Sequence, residues 1–162
     1  MYERILIPTD GSTGTTHVAM QAIDLAKQYY GEVYVVSVVE TGGLLPESDE
    51  TVEDLQRESD RAVRQVEAMA STHGVSVETT VLEGDPSDEI LAYAEEVDAD
   101  VVVSGTHGRT GVQRQLIGSV AERLVRHATI PVMTVPLPET DETVETDADA
   151  RRVGLDGLVS LR

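Results

Sequence analysis

Residues 101–120 read VVVSGTHGRTGVQRQLIGSV. Val101, Val102 and Val103 form an apolar run that is too short for a helix and β-branched throughout. Such a run predicts a strand buried on both faces, as in a parallel sheet. It stops at Ser104-Gly105. Gly105, Gly108 and Gly111 then punctuate a polar segment, and Gly118-Ser119 opens a helical period. Strand, glycine-rich loop and helix start together form a cradle for phosphate. Glycine admits close approach and positive φ, successive N–H groups converge on an anion, and a helix start adds unpaired donors with partial positive charge.

The same alternation extends in both directions. Ile5-Leu6-Ile7 predicts a first buried strand ended by Pro8, and Thr9-Asp10-Gly11-Ser12 a turn. A helix is expected over 15–29, with Ala19, Ala22, Ile23 and Ala26 on one stripe and Gly31 at C′. Residues 33–39 (VYVVSVV) predict a second strand, followed by a loop rich in breakers and acids. A second helix over 50–72 is expected to bury Val52, Leu55, Ala62, Val63, Val66 and Met69, with Gly74 closing it. Residues 75–82 alternate as a half-exposed edge strand. Asp85 and Pro86 suit the N-cap and N1 positions of a third helix. The fourth strand spans 100–104. A fourth helix over 118–128 carries Ala121, Leu124, Val125 and Ala128, and Val132–Val135 makes a fifth strand between two prolines. Alternating strands and helices predict a parallel sheet covered on both faces. One reversal of strand order would bring the loops after strands one and four together. Residues 139–162, acidic and then weakly apolar, are expected to be a flexible tail beyond a domain spanning 1–138.

Composition narrows the function. The 162 residues carry 30 Asp and Glu against 12 Lys and Arg, a formal charge of -18, and the one lysine is Lys27. Such a surface repels nucleic acid and anionic lipid, so any bound anion must be held by local donors. The spread of acids over the whole chain points to a protein working at high salt, as in a halophilic archaeon. No cysteine is present, which excludes disulfides and thiolate metal sites, and there is no Trp or Phe for an aromatic nucleic-acid platform. No apolar stretch is long enough to span a bilayer, and the N-terminus carries no signal-peptide pattern, so a cytoplasmic protein is expected.

Four segments resemble the universal stress protein family, in its small single-domain form. ILIPTDGS at 5–12 resembles the first strand and its Asp turn, and VYVVSVVE at 33–40 the second strand. LEGDPSDEI at 82–90 resembles the Gly-x-Pro segment before the third helix. Gly105-x-x-Gly108, nine residues, then Gly118-Ser119 matches the spacing of the nucleotide-binding branch. The resemblance covers about residues 2–136. It implies a Rossmann-like three-layer α/β/α fold whose five-stranded parallel sheet runs in the order 3-2-1-4-5. It implies ATP as ligand, carried with Mg²⁺ or Mn²⁺. Pro8, Thr9, Asp10 and Val38 match positions that contact adenine or ribose. Gly105, Thr106, Gly108, Arg109, Gly118, Ser119 and Val120 match the phosphate and ribose shell. It also implies a homodimer through Pro131–Val135, with a further protein partner open.

The residue chemistry leaves alternatives at several of these positions. Asp10 suits a sugar hydroxyl or an associated cation, and equally an Asx turn. Ser119 suits a phosphate oxygen or the N-cap. Arg109 suits phosphate or solvent, and His107 a ligand or a backbone partner. The loop lacks the lysine of G-x-x-x-x-G-K-[ST] and the chain lacks G-x-S-x-G. A regulatory ATP binder with little or no turnover is therefore expected. The alternative is a dimeric interaction protein of the same fold that binds no nucleotide. The charge excess itself yields a prediction. Self-repulsion opposes compaction when screening is weak, so the thermal midpoint should rise between about 0.1 M and about 2 M KCl. A flat or falling midpoint in a calorimetric salt series contradicts it.

Overall fold

The computed structural model describes residues 1–12, 14–41, 51–107 and 117–137. Within them strands and helices alternate as β1 (Arg4–Pro8), α1 (Thr15–Tyr29), β2 (Glu32–Glu40), α2 (Val52–Thr72), β3 (Val77–Gly84), α3 (Pro86–Glu96), β4 (Val101–Gly105), α4 (Ser119–His127) and β5 (Val132–Val135). The strands form one sheet in the order β3-β2-β1-β4-β5, every neighbouring pair parallel. This is the expected order, with β3 and β5 at the edges.

Side-chain parity explains the layers. Ile5, Ile7, Val33, Val35, Val101 and Val103 point to one face and pack with Val18, Ala22, Ile23, Val63 and Val66 of α1 and α2. Leu6, Val36 and Val102 point to the other and pack with Ile90, Tyr93, Ala94 and Leu124 of α3 and α4. Consecutive residues of β1 and β4 are therefore all buried, which is why their sequences are continuous apolar runs rather than alternations. Each fully buried Leu, Ile or Val contributes about 1.5–3 kcal/mol relative to exposure. The alanines of α1 let that helix lie close on the sheet.

Several local expectations change. The left-handed residue ending α1 is Tyr30 (φ 54°), not Gly31. Gly31 is required for another reason: a Cβ there would sit 2.6 Å from the Tyr2 carbonyl oxygen and 2.8 Å from that of Glu3. Val52 is 57% exposed because it lies in the first turn of α2, ahead of the sheet; Ser59 is buried in its stead on the inward stripe. Val125 is likewise 51% exposed, since α4 buries only Ala121 and Leu124. Gly74 ends α2 with φ +71°, as expected. The apolar spans supply no membrane segment: among the described residues no helix is long and apolar enough to cross a bilayer.

Two helices are capped by side chains. The Thr51 hydroxyl accepts from the Asp54 N–H at 3.2 Å, and the Asp54 carboxylate accepts from the Thr51 N–H in return. Asp85 Oδ1 accepts from the Asp88 N–H at 3.1 Å and from the Ser87 hydroxyl at 2.8 Å. The Asp88 N–H, then the Ser87 hydroxyl, and more weakly Arg123, hold the Asp85 carboxyl below the usual carboxylate range. A lowered pKa stabilises the fold above the unfolded value, and that contribution is lost as pH falls through the folded value. Asp85→Ala should cost about 1 kcal/mol at neutral pH and Asp85→Asn less, because amide oxygen still caps. The gap between wild type and Asp85→Asn should close as pH drops below about 4. Urea unfolding across pH measures both.

Candidate nucleotide-binding site

The site begins where two neighbouring strands part. The pairing of β1 with β4 runs through Ile5↔Val101 and Leu6↔Val102. The pairing of β1 with β2 continues to Pro8↔Val36, and that of β4 with β5 to Gly105↔Val135. Beyond the strand ends the divergence persists. The Thr9 N–H donates to the Val36 carbonyl at 2.9 Å, toward β2, and the Thr106 N–H donates to the Val135 carbonyl at 3.1 Å, toward β5. A crevice therefore opens over the carboxyl ends of the two central strands. This is the topological switch point, where doubly wound folds bind their ligands.

One wall is the β1–α1 turn. Thr9 is buried, its hydroxyl 3.1 Å from that of Thr15 and accepting from the Gly11 N–H at 3.3 Å. The Ser12 N–H donates to Asp10 Oδ1 at 2.9 Å, so the Asx turn is formed, while Asp10 itself is exposed. Gly11 takes φ +75°, which L side chains rarely adopt, and its Cα faces Ala62.

The other wall is the end of β4 with the start of α4. The Gly118 N–H donates to the Thr106 carbonyl in a short bond, which fastens the helix start to the strand end. Ser119 is the first residue of α4 and exposed; Gly118 is the N-cap. The N-cap alternative for Ser119 is thereby corrected. Gly118 has φ -75° and ψ 165°, ordinary extended backbone, so positive φ is no reason for glycine there. Gly105 is also absent from the positive-φ residues. A Cβ on it would stand 3.3 Å from Val18 Cγ2 and 3.5 Å from Leu137 Cδ2, so close packing is what it serves. The His107 ring nitrogen Nδ1 is 3.1 Å from the Thr106 hydroxyl.

Helix starts around the crevice differ from the others. α1 and α4 have glycine N-caps, Gly14 and Gly118, with no side-chain cap bond. α2 and α3 are capped by the side chains of Thr51 and Asp85. The first-turn N–H groups of a helix need partners from outside it, and at α1 and α4 no side-chain cap supplies one. Leu137 packs against the start of α1: its side chain occupies the space a Cβ on Gly14 would need.

Of the expected site residues, the fold gathers Pro8, Thr9, Asp10, Gly105, Thr106, Gly118 and Ser119 at the carboxyl ends of β1 and β4. Val38 and Val120 border the core cluster on the α3/α4 face. Gly108 and Arg109 lie outside the described residues, as does the tail from residue 139. Among the described residues, no three His, Asp or Glu side chains are grouped to hold a metal. A cavity of about 230 Å³ opens at the opposite end of the sheet, between the ends of α3 and α4, and it contains none of these residues.

Residues 1–136 match the Universal stress protein family. The universal stress protein MJ0531 of Methanocaldococcus jannaschii is 41% identical over 87% of this chain and 86% of its own length. The universal stress protein UspA of Lactobacillus plantarum superposes with a TM-score of 0.72 at 25% identity, over 83% of this chain and 97% of that one. A universal stress protein of Archaeoglobus fulgidus, solved in complex with dAMP, superposes at 0.63 with 26% identity, over 82% and 97%.

The turn chemistry gives a stability prediction. Thr9→Val removes one of two buried hydroxyls that bond each other and should cost about 1–3 kcal/mol through the Thr15 hydroxyl it strands. Asp10→Asn keeps an oxygen for the Ser12 N–H and should change stability by less than about 0.5 kcal/mol. Denaturant midpoints of the two variants test the ranking.

Proposed function

We propose that this chain, which belongs to the universal stress protein family, binds ATP in the crevice between β1 and β4 and acts as a regulatory protein of the stress response. The observation that carries this reading is the pair of helix starts without side-chain caps, α1 and α4, flanking the one place where neighbouring strands part. N-terminal helix donors and a partial positive charge suit an anion there. That a relative of the same fold is solved with dAMP supports an adenine nucleotide as the anion's carrier.

In this reading Pro8, Thr9, Asp10 and Val38 face the base and ribose. Asp10 accepts from a sugar hydroxyl. Thr9 contributes backbone, its hydroxyl being bonded to Thr15. Gly105, Thr106, Gly108, Arg109, Gly118, Ser119 and Val120 hold ribose and phosphates. Ser119, at the first position of α4, offers an exposed hydroxyl beside the helix donors. Mg²⁺ or Mn²⁺ arrives on the phosphates rather than in a protein site. Little or no turnover is part of this reading, at most slow hydrolysis of ATP, since the loop lacks the lysine of G-x-x-x-x-G-K-[ST].

Calorimetry on ligand-stripped protein in molar KCl decides the matter. ATP with Mg²⁺ should bind at about 1 μM, roughly -8 kcal/mol. Ser119→Ala should weaken it by about 1–3 kcal/mol. Asp10→Asn should weaken adenosine and ATP alike. No binding of ATP, ADP or AMP up to millimolar concentration would favour the interaction protein that takes no nucleotide.

The edge strand β5 supports assembly. Its residues are partly covered, Met133 is 38% exposed, and an uncapped apolar edge invites pairing with a second copy. We assign a homodimer through Pro131–Val135. Met133→Lys should shift the species toward monomer in light scattering. A wild type already monomeric at tens of micromolar removes the assignment.

A further inference from the structure

α4 has only nine residues, a length that is marginal for an isolated helix. It buries two side chains, Ala121 and Leu124, and starts without a side-chain cap. Something else must fix its rotation about its own axis. Arg123 is placed to do so. Its Nη1 donates to the Ser87 hydroxyl at 3.2 Å and lies 3.5 Å from Asp85 Oδ2. Ser87 is 3% exposed, and Asp85 Oδ1 is already committed to the Ser87 hydroxyl and the Asp88 N–H. The guanidinium therefore meets a built acceptor set, the N-terminal cap of α3, and not a stray surface acid.

We propose that Arg123 is a positioning residue for the phosphate end of the site, clamping the start of α4 to the cap of α3 so that the Ser119 and Val120 N–H groups keep a fixed direction. This rests on the nucleotide reading above. Arg123 follows Ser119 by four residues, so the two share a helix face one turn apart. The Gly118–Thr106 bond holds the helix end to β4, and the Arg123–Ser87 bond holds its flank to α3. With two attachments on different sides the first turn can neither tilt nor roll. One guanidinium nitrogen, Nη1, reaches both Ser87 and Asp85. Arg126, by contrast, pairs within α4 with Glu122 at 2.9 Å.

The test compares wild type with Arg123→Gln, Arg123→Lys and Ser87→Ala. Amide hydrogen exchange is read in nucleotide-free protein at Glu122, whose N–H donates to the Gly118 carbonyl at 2.9 Å, and at Leu124, and affinities for MgATP and adenosine are read by calorimetry. Arg123→Gln should speed exchange at those two amides and weaken MgATP about threefold, the scale of one partly exposed ion pair. Adenosine affinity should stay as in wild type, because the base end is held from β1 and β2. Arg123→Lys should restore part of both effects, and Ser87→Ala should reproduce the faster exchange. Unchanged exchange in both Arg123→Gln and Ser87→Ala overturns the clamp. So does weaker MgATP in Arg123→Gln with unchanged exchange, since Arg123 would then touch phosphate itself. An equal loss for adenosine and MgATP overturns it as well, pointing to a general loss of structure. If wild type binds no nucleotide, the functional reading falls, and the exchange data alone still decide whether α3 fixes α4.

Discussion

The parting of β1 from β4 is the constraint on which the rest depends. Two parallel strands whose connections leave in opposite directions cannot both stay hydrogen-bonded to each other at their carboxyl ends. Here the Thr9 N–H goes to β2 and the Thr106 N–H to β5, so each central strand ends in the ladder of its outer neighbour. No backbone ladder closes the gap between them. α1 and α2 lie on one face and α3 and α4 on the other, so no helix crosses it either. The crevice is thus a consequence of strand order, and the glycine N-caps, the Asx turn and the short Thr106–Gly118 bond are fitted around it.

Much of this was legible in the residues, for definite reasons. Five short apolar runs separated by breakers and helical periods allow few arrangements other than a doubly wound sheet. Burial on both faces erases the period-two signal and leaves continuous runs such as Ile5-Leu6-Ile7 and Val101-Val102-Val103, which can be recognised by length and β-branching. Asp85-Pro86 located the start of α3 because cap and N1 preferences are local chemistry. Where the outcome depended on a neighbour far along the chain, the residues misled. Tyr30 takes the left-handed conformation because Gly31 is needed under the Tyr2 and Glu3 carbonyls. Val52 and Val125 carry the right residue type for a core, yet the helix axis places them outside it.

The glycines of the candidate site show the same division. Spacing pointed to Gly105 and Gly118, which stand at the end of β4 and the start of α4, but the positive φ expected of them is not there. Neither uses positive φ; Gly11, in the neighbouring turn, does. Gly105 is a packing glycine against Val18 and Leu137, and Gly14 gives way to Leu137 in the same manner. A missing side chain and a special backbone angle leave the same letter in a sequence, and only geometry tells them apart. The Arg123–Ser87 contact was invisible for a related reason: the two residues stand 36 positions apart, and neither letter differs from a solvated surface residue.

The electrostatics of the fold follow from how the acids are distributed rather than from their number. A chain with a formal charge of -18 must still leave a place where an anion meets donors before it meets carboxylates. α2 and α3 carry two acids each in their first turns, Glu53 with Asp54 and Asp88 with Glu89, which suit the helix dipole and strengthen the folded state. α1 has none in its first turn. α4 has one, Glu122, and Arg126 neutralises it from one turn along. The stabilising acid–dipole contact is therefore placed at the two starts with side-chain caps, α2 and α3, and withheld or balanced at α1 and α4. At the crevice the dipoles of α1 and α4 keep their positive ends for whatever anion arrives. Salt extends the effect, because screening over about 10 Å at 0.1 M weakens the repulsion of distant acids while leaving hydrogen bonds at contact distance almost untouched.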